Sequence, residues 1–218
     1  MRKHIFIFLL GCSTTLCASE DSSQVSGGLF EGKVTYIYQI LNPNKLLVSD
    51  EDFYNDMPNG GRSEATLYIK GNRYRWEYSD RIETYIPKKN QIAILSKRKK
   101  DSIYYAYGNI AFEPLTSIKK SELTKQLLGY ELSAYEVRTK WDHRTFFYSP
   151  NALKTKKSIW RNHKYNYLGD FISKSGSFPM IIHQKSMLGN WKMTVSKIEP
   201  MPIQDSVFNL LHRSHGLR

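Results

Sequence analysis

From Phe30 onward the chain alternates apolar and polar positions with a period of two. Val34, Tyr36, Tyr38 and Ile40 fall on one face, with Lys33, Thr35 and Gln39 on the other. This is the pattern of an antiparallel strand with one wet face. Residues 65–70 and 72–78 repeat it around Gly71-Asn72, which predicts a hairpin. On the second arm Tyr74, Trp76 and Tyr78 share a face. Arg73, Arg75 and Glu77 share the opposite one, where charges can pair across neighbouring strands. The same reading predicts strands over residues 82–86, 91–95, 102–107, 130–139, 144–149, 178–184 and 190–197. Pro87-Lys88-Lys89-Asn90 and Lys97-Arg98-Lys99-Lys100 read as hairpin tips.

Elsewhere the alternation fails. Residues 41–62 hold Asn42-Pro43-Asn44, an acidic stretch and Pro58-Asn59-Gly60-Gly61, and read as a long loop with a helical turn near 50–54. Between Glu113 and Leu128 the period lengthens, predicting a short helix capped by Ser117 or Ser121. Residues 158–174 read as loop plus a short helix. The sum is a mainly β (α+β) protein: one antiparallel sheet of about nine to eleven strands, too many to stay flat. Its aromatic face needs a cover, and the few helical segments predict a strongly curved half-barrel with one to three short helices as plug or lid.

The first eighteen residues have the order of a secretory signal. Arg2-Lys3-His4 is a basic head, residues 5–10 are an apolar run, and Leu16-Cys17-Ala18-Ser19 forms a small-residue cleavage zone. The run is far shorter than the ~20 residues of a membrane span. Cleavage after Ala18 or Ser19 is expected; the alternative is lipidation at Cys12, after Leu9-Leu10-Gly11. Cleavage after Ala18 would remove both cysteines and with them any disulfide or thiolate metal site. The expected organisation is a signal over 1–18, a flexible lead-in over 19–29, one domain over 30–211 and a basic tail over 212–218. The expected location is the periplasm or outer-membrane periphery of a Gram-negative-type bacterium.

Of 218 residues, 32 are Lys or Arg, the net charge is +12, and 13% are aromatic. Such an excess favours anionic partners, and export argues against nucleic acid as the partner. Lysines at this density also serve solubility.

Several stretches resemble a known group. Phe30-Glu31-Gly32-Lys33-Val34-Thr35-Tyr36 is similar to the opening strand of a large, uncharacterised set of bacterial envelope proteins, the GLPGLI proteins and related domains of unknown function. Tyr68-Ile69-Lys70-Gly71-Asn72-Arg73-Tyr74-Arg75-Trp76-Glu77 resembles that group's central hairpin. Leu128-Gly129-Tyr130, Tyr135-Glu136-Val137, Phe178-Pro179-Met180 and Asp205-Ser206-Val207-Phe208 resemble later signposts, in the same order. The group is related in fold to the periplasmic lipoprotein carriers, so the resemblance implies a LolA-like domain whose half-barrel holds acyl chains against helical lids. It implies no catalytic residue. Many relatives place a cysteine shortly after the Gly-Tyr pair; here Glu131, Leu132 and Ser133 stand in that stretch.

Catalytic and metal templates are not met. His143, His163 and His183 lack ligand spacing, and His212 and His215 sit on the basic tail. Asp50-Glu51-Asp52 with Asp56 lacks the glycine and glutamate of a calcium loop. The Ser-x-x-Lys strings at Ser96 and Ser117 have no companion motifs, and no G-x-S-x-G elbow, P-loop or dinucleotide fingerprint occurs. The expectation is a non-enzymatic protein without cofactor or metal.

Two candidate sites remain. The first is an aromatic face of Tyr36, Tyr38, Leu67, Ile69, Tyr74, Trp76, Tyr78, Trp191 and Met193, which is either packed core or the lining of a ligand cavity. The second is the tip Lys97, Arg98, Lys99 and Lys100, with other lysines elsewhere, either solvated or in contact with anionic membrane head groups. The leading expectation is carriage of an apolar ligand: an acyl chain, lipid or lipidated peptide. The alternative is an envelope interaction or scaffold protein with a filled core; a hydrolase with an unrecognised site ranks last.

Overall fold

Alternation becomes strand almost everywhere it was read. The computed structural model describes residues 28–43, 62–97, 102–187 and 189–209. The expected signal, most of the lead-in, the loop over 44–61, Arg98 to Lys100 and the basic tail lie outside the described residues. The strands are β1 (Gly32–Pro43), β2 (Arg62–Lys70), β3 (Arg73–Glu77), β4 (Arg81–Ile86), β5 (Gln91–Ser96), β6 (Ile103–Tyr107), β7 (Ser117–Leu127), β8 (Tyr130–Arg138), β9 (Asp142–Tyr148), β10 (Ile181–Ser186) and β11 (Gly189–Pro200).

All eleven join in one antiparallel sheet, ordered β6-β5-β4-β3-β2-β1-β11-β10-β9-β8-β7. Two meanders therefore meet along the β1–β11 seam, where Val34 faces Ile198 and Tyr38 faces Met193. At ~4.8 Å per strand a flat sheet of this order would be about 48 Å wide. The ten residue steps from Tyr107, ending β6, to Ser117, opening β7, reach at most about 36 Å. One short strap thus connects the two outer edges, and the sheet must curl to allow it. The result is an open half-barrel with a helical lid.

The lid is one eight-residue helix, α1 (Leu168–Ser175), led in by 3-10 turns at Lys157–Trp160 and Tyr165–Tyr167. Leu168, Phe171 and Ile172 are buried, and Phe171 stacks on Phe146 of β9 at 4.7 Å. Each such side chain contributes about 1.5–3 kcal/mol by leaving water. Gly169 lets the first turn of α1 touch the preceding chain: a methyl there would overlap the carbonyl oxygens of His163 and Trp160. At the β2–β3 turn Gly71 takes φ +58, which L side chains resist.

One expectation is overturned. Residues 117–127 are not a helix but β7, an edge strand paired only with β8. Its register with β8 jumps between Ser121↔Ala134 and Lys125↔Leu132, inserting extra residues on the β7 side. That bulge breaks the period of two and imitates a helical spacing. β1 also runs on through Pro43, three residues into the segment read as loop.

One pair among the β3 charges runs along the strand. Arg75 pairs along its own strand with Glu77, Nε to Oε1 2.7 Å, and its side chain is fully buried. The cover is the C-terminal turn Asp205–Phe208, whose Val207 and following Asn209 carbonyls accept from Arg75 Nη1 at 2.9 and 3.1 Å.

Candidate functional site

The concave face is filled toward one end and open toward the other. At the filled end Trp160, Phe178 and Met180 are fully buried. Trp160 packs edge-on against Phe178 at 5.2 Å and along Tyr74 at 5.9 Å. The Tyr36 hydroxyl donates to the Pro179 carbonyl at 2.6 Å. Tyr36, Leu67 and Ile69, expected as cavity lining, are sealed into this core.

Toward the end where β9 and β11 begin, a cleft of about 290 Å³ remains between the sheet and the lid. Tyr38, Tyr74, Trp76, Tyr78, Trp191 and Met193 line it, the other six of the nine expected residues. Phe146, Leu168, Ile182, Tyr165, Asn166, Arg81, Glu83, Arg144 and Gln184 complete the wall. Sequence reasoning missed those nine. A signal existed for some of them: Arg81, Glu83, Arg144 and Gln184 are polar residues at inward positions of otherwise apolar stripes. Such positions are either errors or sites.

The polar groups are mostly satisfied. Arg81 Nε donates to Glu83 Oε1 at 2.7 Å, and its guanidinium lies 4.1 Å from the Tyr78 ring centre. Arg144 Nε donates to Asp142 Oδ2 at 2.7 Å, and Nη1 reaches the Asn166 carbonyl at 3.1 Å, tying the lid to β9. Asn166 and Tyr167, at the head of α1, both hold positive φ, 54 and 59, which is strained for a tyrosine. Gln184 is the exception: it is 8% exposed, and its Oε1 has no hydrogen-bond partner. Burial pushes the Tyr38 phenol up to about 12 and those of Tyr74 and Tyr78 well above the usual range. These rings serve as neutral aromatic surface.

Behind Tyr74 sits His163, fully buried, its ring 4.5 Å from that of Tyr85. At the basic tip only Lys97 is described. It is exposed, and its ammonium donates to the Tyr78 carbonyl. Among the described residues no three His, Cys, Asp or Glu side chains group as a metal site.

No family model matches the chain, and no curated protein does. Among solved structures, two crystal forms of PNGF-II are similar over 81% and 83% of this chain, at 8% and 9% identity and TM-scores of 0.46 and 0.47. The chain spans only 29% and 30% of the length of PNGF-II in those two forms. The Mycobacterium tuberculosis lipoprotein LppX is similar over 80% of this chain and 89% of its own, at 9% identity and a TM-score of 0.35. At these scores the likenesses decide nothing about function, and the cleft itself carries the reading.

Proposed function

We propose that this protein binds, without catalysis, one slim apolar group: an acyl chain of a lipid or of a lipidated peptide. The observation that carries the reading is the aromatic cleft with Gln184 Oε1 unpartnered in its wall. Apolar clefts with a few convergent polar groups are the usual form of a ligand site. The cleft arginines already face carboxylates, so they do not call for a bare anion. Gln184 instead asks for a hydrogen-bond donor on the ligand. At about 290 Å³ the space takes part of a lipid, not all of it.

Export to the periplasm or outer-membrane periphery belongs to the proposal and is supported by the basic head and apolar run of residues 2–10. Among the described residues no helix is long and apolar enough to cross a membrane. Contact of the Lys97, Arg98, Lys99 and Lys100 tip with an anionic surface or an envelope protein is proposed with it.

The test is native mass spectrometry of protein taken from its own envelope, together with titration by a fluorescent fatty acid. The expected result is a co-purified apolar ligand and a saturable signal that Trp191→Ala weakens. A second reading, an interaction protein with a filled interior, is favoured by the packing of Trp160, Phe171 and Phe178 into the trough. Ligand-free protein that ignores the fatty acid would select it.

A further inference from the structure

The end of the half-barrel at which the cleft opens carries large apolar side chains in solvent. Register places the tips there. Arg138 faces His143 across the β8–β9 turn, Ser186 faces Asp142, and Pro43 at the end of β1 faces Gly189. The β8–β9 and β10–β11 turns are therefore neighbours, and they hold Trp141, 49% exposed, and Met187, 50% exposed. The strap reaches the same end. Glu113 accepts from the Thr139 hydroxyl and, at 3.2 Å, from the Trp141 backbone N–H. Its neighbour Phe112 is 99% exposed, so its ring makes next to no contact with the fold.

Charge surrounds this rim. A groove of about 390 Å³ beside Trp141 is lined by Arg138, Lys140, His143 and Lys185, with Asp142 the carboxylate in it. That carboxylate is already engaged by Arg144, and Arg138 is paired with Glu136 at 3.0 Å, which leaves Lys140 and Lys185 as the cations of the groove. Lys140 Nζ sits 4.4 Å from the Trp141 ring centre, a cation and an indole held side by side. Exposed aromatic and aliphatic side chains beside lysine and arginine are the composition of surfaces that sit in the bilayer interface. The overall charge of +12 acts in the same direction.

We propose that Phe112, Trp141 and Met187, with the cationic groove beside Trp141, dock this protein on an anionic lipid bilayer, the cleft mouth facing the membrane. Phe112 and Trp141 enter the interface while Lys140 and Lys185 meet acidic head groups. Each such cation strengthens binding about fivefold at low salt. The docking stands without the ligand reading, because a bilayer can hold the rim while the cleft is empty.

The test is flotation of the exported chain with two kinds of vesicle, phosphatidylcholine alone and phosphatidylcholine mixed equally with phosphatidylglycerol. The expected result is flotation with the anionic vesicles only, lost as salt rises. Phe112→Ser with Trp141→Ser should weaken it at least about tenfold, and Lys140→Glu with Lys185→Glu should abolish it. Melting curves should stay unchanged, since these side chains are exposed. Gln184→Leu should float like the parent, which separates docking from the cleft. Equal flotation with both vesicle types, or full flotation of the Phe112/Trp141 variant, overturns the proposal. So does a self-associated form in solution that Phe112→Ser dissociates, since the rim would then belong to a second copy.

Discussion

The Tyr74 hydroxyl lies 2.9 Å from His163 Nε2, and the two rings stack 5.5 Å apart inside the plug of the half-barrel. Tyr85, Trp160 and Tyr165 complete the shell around the imidazole. Burial lowers the His163 pKa from 6.5 to about 4, so the folded protein holds the ring neutral. Below about pH 6.5 the unfolded chain takes up a proton that the folded chain refuses. Stability from this site is therefore full above pH 6.5, declines as pH falls toward 4, and is then level, a loss of about 3 kcal/mol at most. Urea unfolding across this range should show that slope. His163→Phe should flatten it, while costing about 1–3 kcal/mol at neutral pH because the buried Tyr74 hydroxyl loses its partner.

Arg75 should be the most costly charged residue to remove. Arg75→Met strips the donor from Glu77 and from the Val207 and Asn209 carbonyls. Breaking a buried pair in this way costs about 3 kcal/mol or more. Hydrogen exchange should then accelerate at Val207 and Asn209. Arg73→Ala, which removes an exposed pair with Asp205, should do far less.

Gly169→Ala tests how closely α1 packs. The new methyl would meet the backbone oxygens of His163 and Trp160, which cannot swing aside as a side chain can. Overpacking of this kind costs about 1–3 kcal/mol. Because Leu168 lines the cleft, a displaced helix should also lower affinity for a fluorescent fatty acid, read in the same sample by titration.

Gln184→Leu should separate stability from binding. Removing the unpartnered Oε1 relieves a buried polar group, so the unfolding free energy should hold or rise by up to about 1 kcal/mol. Affinity for a ligand bearing a hydroxyl or amide should fall, and affinity for a plain hydrocarbon should not. A drop in stability together with unchanged binding would remove Gln184 from the site.

What the sequence made legible was whatever its local period encodes. Val34-Tyr36-Tyr38 and Tyr74-Trp76-Tyr78 announced both strand and inward face, and the strand count and curvature followed. The β7 bulge hid its strand because two side chains per repeat no longer matched the pleat. Depth along the trough was not legible either. Tyr36 and Tyr38 are two residues apart on one stripe, yet the first is sealed in the core and the second lines the cleft. Tyr36 is held by the Pro179 carbonyl, which accepts from its hydroxyl and lies more than a hundred residues away. Arg75 was readable as a charged strand residue, but its burial depends on a C-terminal turn with no local mark of its destination.

The seam between β1 and β11 has a kinetic consequence. Every other strand pair joins neighbours in sequence, whereas Gly32 must find Pro200. Each meander can zip early, but closure between the first and last of the described strands carries the greatest loop entropy and comes late. A polypeptide delivered from its N-terminus would hold two half-sheets apart until its final strand arrived.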